Sequence, residues 1–363
     1  MMKSLPLLSL ALVPLLLGGC ELGRKEVTQT GHRGTAMAEI DLVSGPAADE
    51  VPAPPYDLPE PSGQTAGEVY DNVQVLGDVS VEEFDYLMAA ITEWVVPEDV
   101  DDPARAGCNY CHNPANLASD EIYTKNVSRR MIQMTQTINA DWSNHVQQTG
   151  VTCWTCHRGN AVPEHVWTNP SSAGRVRAGN LNGQNAPDPS VGYSSLPTGV
   201  FAQYFTGEGG DEIRVASSQM HPTMDNMLTT METETTYGLM MHLSQAMGVN
   251  CTYCHNTQSF REWQVSTEAR STAWFGIRMV RNINQAYITP LTGQFPANRL
   301  GPEGDPYKVN CTTCHQGQPR PMGGASMIAD YPALSFDTVT AAPAAPPTED
   351  EDTMAGEEVA SAE

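Results

Sequence analysis

The sequence predicts a mainly α protein with extensive irregular loops, in which a helix–turn–Cys-x-x-Cys-His unit is repeated four times in two pseudo-symmetric pairs. Three observations carry this expectation. Apolar residues recur at helical spacing behind two capping boxes, Ser80-x-x-Glu83 and Thr229-x-x-Glu232. The intervening stretches are rich in turn formers, with 30 Gly and 27 Pro in 363 residues. The phrase Cys-x-x-Cys-His stands at 108–112, 153–157, 251–255 and 311–315, each time beyond a helical stretch.

The chain opens with Lys3, an apolar run from Leu5 to Leu17, and Leu17-Gly18-Gly19-Cys20. This reads as a signal peptide over residues 1–19 with a lipobox, so that Cys20 becomes the lipidated first residue of the mature chain. The run of about 13 residues falls short of the roughly 20 a membrane span needs, although an uncleaved anchor is the alternative. Both versions place the body outside the cytoplasm and at the membrane, and no other stretch is long and apolar enough to span. Residues 20–66 are polar and then proline-rich, without helical or strand period, and read as an extended tether.

The body follows as a first pair of units over 67–158, a connecting segment over 159–218 and a second pair over 219–332. In the first unit Phe84, Met88, Ile91 and Val95 form a stripe that Pro97 ends. A second helix is expected from near Ser119, with Asp120 and Glu121 in its first turn, a stripe of Val127, Met131, Met134 and Ile138, and a continuation through His145. The connecting segment is rich in Gly, Asn, Pro and Ser and reads as irregular. A third helix behind Thr229 carries Met240, Leu243 and Met247, and a fourth, about 267–288, carries Phe275, Met279 and Ile283. Residues 333–363 read as a disordered tail, acidic toward its end, with seven acids and no base from Glu349 onward.

Cys-x-x-Cys-His is the attachment signature of c-type haem: the thiols add to the vinyl groups and the His binds iron. The four copies use Cys108, Cys111, Cys153, Cys156, Cys251, Cys254, Cys311 and Cys314, and with Cys20 they account for all nine cysteines. Zinc sites built from Cys pairs, and a thioredoxin-like redox pair, are the competing readings, and neither requires a His after every pair. Four haems supply apolar bulk that a chain with only 40% hydrophobic residues lacks, so folding should depend on them. The net charge of −24 excludes nucleic-acid binding and suits a basic protein partner, or else serves solubility alone.

His112, His157, His255 and His315 supply one axial ligand each. A helix laid along each haem can offer a thioether to the other face, and Met/His ligation closes the iron to substrates. Met88 is the one Met of its helix. Met131 and Met134 share a face, as do Met240 and Met247, with Met241 to the side, so spacing leaves these open, and a Met on an apolar face is more often packing. For the fourth centre His145 and Met279 compete, while the remaining non-motif histidines default to satisfied or surface roles.

The stretches CNYCHNPANLASDEIYTKNVSRRM (108–131), VTCWTCHRGNAVP (151–163), MMHLSQAMGVNCTYCHNTQSF (240–260), GIRMVRNIN (276–284) and NCTTCHQG (310–317) resemble the four-haem cytochrome subunit of the purple-bacterial photosynthetic reaction centre. The resemblance spans about Val69 to Pro332. It implies Met88, Met131 and Met240 as sixth ligands of the first three haems, His145 of the fourth, and Met279 as a packing residue. The stretch Pro97 to Gly107 is longer than the family pattern, which implies a loop bulging outward there. It also implies haems in the order first, second, fourth, third, with the third nearest the photo-oxidised special pair. Electrons would come from a soluble periplasmic donor, a basic c-type cytochrome or a high-potential iron–sulfur protein, and go to membrane-embedded reaction-centre subunits. The protein would sit on the periplasmic face of the inner, photosynthetic membrane. It would break no substrate bonds, so the class of enzyme fits poorly. The alternatives are an electron donor to another periplasmic reductase, and a multihaem reductase with an open iron.

Overall fold

A computed structural model describes residues 25–29, 38–42, 51–98, 100, 102–170, 188–207, 213, 215, 223 and 229–335. Cys20, the signal segment and the tail beyond residue 335 lie outside the described residues. Two strands, β1 (Lys25–Gln29) and β2 (Ala38–Leu42), form an antiparallel hairpin. The helices are α1 (Ala66–Val69), α2 (Val81–Val95), α3 (Tyr123–Asp141), α4 (Ser143–Val146), α5 (Cys153–His157), α6 (Val200–Phe205), α7 (Thr230–Met247), α8 (Glu268–Asn282) and α9 (Cys311–His315). Short 3₁₀ turns and loops make up most of the rest, so the protein is mainly helical with much irregular chain.

The capping boxes sit where the sequence puts them. Ser80 accepts from the Glu83 N–H and Thr229 from the Glu232 N–H, and each Glu reaches back to its cap. α8 continues into a π turn, Ile283–Ile288.

Two cores hold the body together. In the first, Leu87, Ala90, Ile91 and Trp94 of α2 pack against Met322, Met327, Tyr331 and Leu334 from the end of the described chain. Tyr331 stacks on Tyr86 at 5.2 Å and meets Trp94 edge-on at 4.5 Å. In the second, Val200, Phe201, Tyr204 and Phe205 of α6 pack with Leu239 and Leu243 of α7 and Ile277 and Val280 of α8. α3 touches both, through Ile132 and Ile138.

Four details differ from the sequence expectation. The segment 20–66 contains the hairpin, and its later part joins the body, with Val51 against the first core and Tyr56 edge-on to Tyr86 at 5.3 Å. The connecting segment contributes α6, whose aromatic side chains are buried. α3 begins at Tyr123 rather than near Ser119 and ends at Asp141, so His145 stands on the separate turn α4. Ala333 and Leu334 are buried in the first core, so the tail starts beyond them.

Two buried asparagines do equivalent work. Asn139, fully buried, donates to the Val151 and Leu334 carbonyls and accepts from the Val151 N–H. Asn284, also fully buried, donates to Phe205 and Val309 and accepts from the Val309 N–H. Val151 and Val309 each lie two residues before a Cys-x-x-Cys-His phrase, so each Asn fixes the entry of the chain into a motif.

Candidate haem-binding sites

The motifs fall into two local types. The first and third begin in 3₁₀ turns, Gly107–Tyr110 and Cys251–Tyr253. In these, the Tyr110 and Tyr253 carbonyls accept from the hydroxyls of Thr124 and Thr267, which tie the turn to the helix that follows. The second and fourth are single helical turns, α5 and α9, capped by Thr152 and Asn310 and closed by left-handed Arg158 and Gln316. The first motif thus resembles the third, and the second the fourth.

Every motif histidine donates its Nδ1–H to a backbone carbonyl. His112 reaches Leu117 at 3.1 Å, His157 Asn160 at 2.8 Å, His255 Phe260 at 2.7 Å and His315 Gln318 at 2.9 Å. His145 does the same toward Thr272 at 2.9 Å. This bond fixes the tautomer and leaves the Nε2 lone pair available to a metal, as in metal sites generally. Burial pushes the His145, His157 and His255 rings down, and it takes His315 to about 4 with a further push from His145, which favours the neutral ligating form.

The rings of His145 and His315 meet edge-on, with centroids 6.0 Å apart and planes inclined at 66°. Metal–imidazole bonds are about 2 Å, and a ring nitrogen lies about 1.1 Å from its centroid, so two imidazoles on opposite faces of one metal sit roughly 6.2 Å apart. The pair is therefore spaced for one iron between them. Gly276 of α8 makes room: a Cβ there would lie 2.5 Å from His145 Cε1 and 2.7 Å from Nδ1. The sequence spacing held no signal for this contact, which joins residues far apart in the chain.

The methionines stand on half-open apolar faces. Met88 is half-buried beside the first core, while the most buried residues of α2 include Tyr86, Leu87, Ala90 and Trp94. The expected stripe, Phe84, Met88, Ile91 and Val95, thus corresponds to a flank of the helix, with Ile91 alone among them in the core. α2 lies against both Gly107–Tyr110 of the first motif and α5 of the second. The loop between α2 and the first motif turns outward, with Asp102, Pro103 and Ala104 exposed. On α3, Val127, Met131 and Met134 line an open, apolar cleft of about 160 Å³, which also takes in Cys111, Cys153, Cys156 and His157. The opposite face of α3 buries polar Gln136 and Asn139, hydrogen-bonded to backbone, so the apolar side is the one the protein leaves uncovered. Met240 is partly buried against the second core, Met247 and Met279 are within it, and Met241 is exposed.

None of the eight motif cysteines is in a disulfide. Burial pushes Cys153 and Cys311 up to about 12 and Cys254 up to about 11. Cys156 is raised above the usual range by Cys314 beside it and by burial, and α5 lies against α9, so the second and fourth motifs are neighbours. His242, expected to be satisfied or at the surface, is instead buried, with Nε2 unpartnered and its ring edge-on to Phe201 at 4.6 Å.

Among the described residues no group of three or more His, Cys, Asp or Glu is arranged to hold a metal ion. Paired thiols beside an apolar cleft, histidines with Nδ1 engaged, and a second imidazole at ligand distance fit covalent haem instead. Fold and site together define a c-type cytochrome. The chain belongs to the family of photosynthetic reaction centre cytochrome c subunits, whose pattern matches residues 21–335. Relatives named photosynthetic reaction center cytochrome c subunit come from Rubrivivax gelatinosus, 46% identical over 91% of this chain and 89% of the relative, and Thermochromatium tepidum, 42% identical over 90% and 79%. A third, from Roseobacter denitrificans, is 38% identical over 85% of both chains.

Proposed function

We propose that the protein is a membrane-anchored periplasmic tetrahaem cytochrome that relays electrons from a soluble donor to the photo-oxidised special pair of a reaction centre. The observation that supports this reading is the His145–His315 pair, whose 6.0 Å spacing suits the two axial ligands of one centre and would leave no face there for a substrate. Haem, when bound, supplies the reversible one-electron couple of its iron. The chain supplies attachment, ligands and spacing.

The four motifs are read as four attachment sites in two like pairs. Cys108 and Cys111, Cys153 and Cys156, Cys251 and Cys254, and Cys311 and Cys314 hold the haems. His112 with Met88, His157 with Met131, His255 with Met240, and His315 with His145 are the axial pairs. The Cys156–Cys314 contact supports the second and fourth centres as neighbours. Cys20 carries the lipid that holds the body at the periplasmic face of the photosynthetic membrane. No helix among the described residues is long and apolar enough to cross a membrane, which agrees with a lipid anchor. Residues 67–158 and 219–332 are read as the two haem pairs, and the stretch before Val51 as the tether. A donor of basic charge suits a protein of net charge −24.

The test is flash excitation of membranes that contain the protein. Fast oxidation of c-type haem after the flash is expected. Photo-oxidised special pair that recovers with no haem bleaching would overturn the reading.

A further inference from the structure

We infer that Lys125 is a positioning residue for the first centre, sharing the Leu117 carbonyl with His112 and thereby holding the potential of that centre up. The inference rests on the proposed haem ligation by His112. Lys125 lies on α3 and is buried to 8% exposure. Its Nζ donates to the Leu117 carbonyl at 2.8 Å and to the Ser119 carbonyl at 2.9 Å, and stands 3.2 Å from Asp120 Oδ1. Asp120 is shared with Arg129 at 2.8 Å, so the cluster holds two cations against one anion.

The Leu117 carbonyl is also the acceptor for His112. A charged donor on the same oxygen draws its electron density away and weakens it as an acceptor for imidazole. The distances agree: 3.1 Å for His112, against 2.8, 2.7 and 2.9 Å for the other three motif histidines. The third motif serves as an internal comparison, because its loop is otherwise built alike. There the register set by Thr124 and Thr267 puts Glu268 where Lys125 stands, and Arg270 donates to the Arg261 carbonyl at 3.1 Å, one residue beyond the Phe260 carbonyl that His255 uses.

The sign follows from the chemistry of the ligand. A strong Nδ1–H bond gives imidazole more anionic character and raises its basicity toward the metal. A weakened bond makes His112 the poorer electron donor, which favours ferrous over ferric iron. The buried ammonium acts in the same direction, since it opposes the extra positive charge of the oxidised centre.

The test is a spectroelectrochemical titration of the full-length protein carrying Lys125→Met, which removes charge and donor and keeps the stem. One component of the titration should fall by about 59 mV, a tenfold rise in its oxidised-to-reduced ratio at the native midpoint, while the other three stay. Lys125→Arg should restore the native value. No shift, or an equal shift of every component, overturns the inference. Should Lys125→Met fail to assemble, the reduced native protein gives a second measure. Its axial-histidine Nδ1–H proton resonances should show one motif histidine upfield of the other three, and four alike would overturn the proposal. A native protein with fewer than four haems would instead overturn the tetrahaem reading, and the haem count of the native protein tells the two failures apart.

Discussion

Gly276→Ala is the sharpest probe of the fourth centre. The new Cβ would stand 2.5 Å from His145 Cε1, 2.7 Å from Nδ1 and 3.1 Å from Nε2. Carbon contacts relax at about 3.5 Å or more, so the ring must retreat by roughly 1 Å. Its Nδ1 bond to Thr272, now 2.9 Å, stretches or breaks, at a cost of about 0.5–1.5 kcal/mol. Ala in place of Gly inside α8 returns about 0.8–1.0 kcal/mol of helix propensity. Overall stability should therefore change little, by about 1 kcal/mol or less beyond local overpacking. Ligation should change strongly, because a displacement of about 1 Å is half of a metal–nitrogen bond. The reduced variant should bind carbon monoxide at one centre, and the oxidised variant should gain a high-spin or altered-ligand signal by electron paramagnetic resonance. Four unchanged low-spin centres and no carbon monoxide binding would refute the assignment of His145 to the iron opposite His315.

Three further outcomes are expected. Asn139→Ala removes two donated bonds and one accepted bond from a fully buried site and should destabilise the protein by about 2–5 kcal/mol, read as a lowered Tm. Gly248→Ala forces a Cβ to 2.2 Å from the Gly317 carbonyl at a φ of +67°, so the loop after the fourth motif must shift; reduced haem loading at that motif, counted by mass spectrometry, checks this. Burial pushes the Asp120 carboxyl up, but hydrogen bonds from Asn72, Lys125 and Arg129 outweigh that and hold it down at about 2. Its stabilising effect is complete above an unfolded value of about 3.9 and is lost as pH falls toward 2. Asp120→Asn should flatten acid unfolding in that window, by less than about 1 kcal/mol because the group is exposed, and an unchanged acid limb would count against the clamp.

What could be read in advance was whatever is local. The Cys-x-x-Cys-His phrases are contiguous because a haem's vinyl groups and iron demand fixed spacing. Ser80 and Thr229 start helices through bonds to residues three positions on. β2 also carried a local signal, since Ala38, Ile40 and Leu42 alternate with Glu39 and Asp41, yet the segment reads as tether when its prolines dominate. α6 is only six residues, too short for a helical period to stand out in a stretch rich in Gly and Pro. Asp120 and Glu121 resemble a first helical turn by charge, but the carboxylate of Asp120 instead holds Lys125 and Arg129 from the turn before α3. Gly276, the face of α2 that packs, and the meeting of His145 with His315 depend on tertiary approach, and composition or period cannot report them.

The contact between Cys156 and Cys314 bears on when in the life of the chain the cofactors arrive. Addition of a thiol to a vinyl group proceeds through the thiolate, and burial leaves almost none at Cys153 or Cys311 at neutral pH once the body has closed. The same closure brings together sulfurs from opposite halves of the sequence, a pair that an oxidising compartment could join while they were still ionisable. On the proposed haem reading, attachment precedes the docking of one half on the other, and biogenesis and folding form one ordered process in which each half receives its cofactors before it finds its partner.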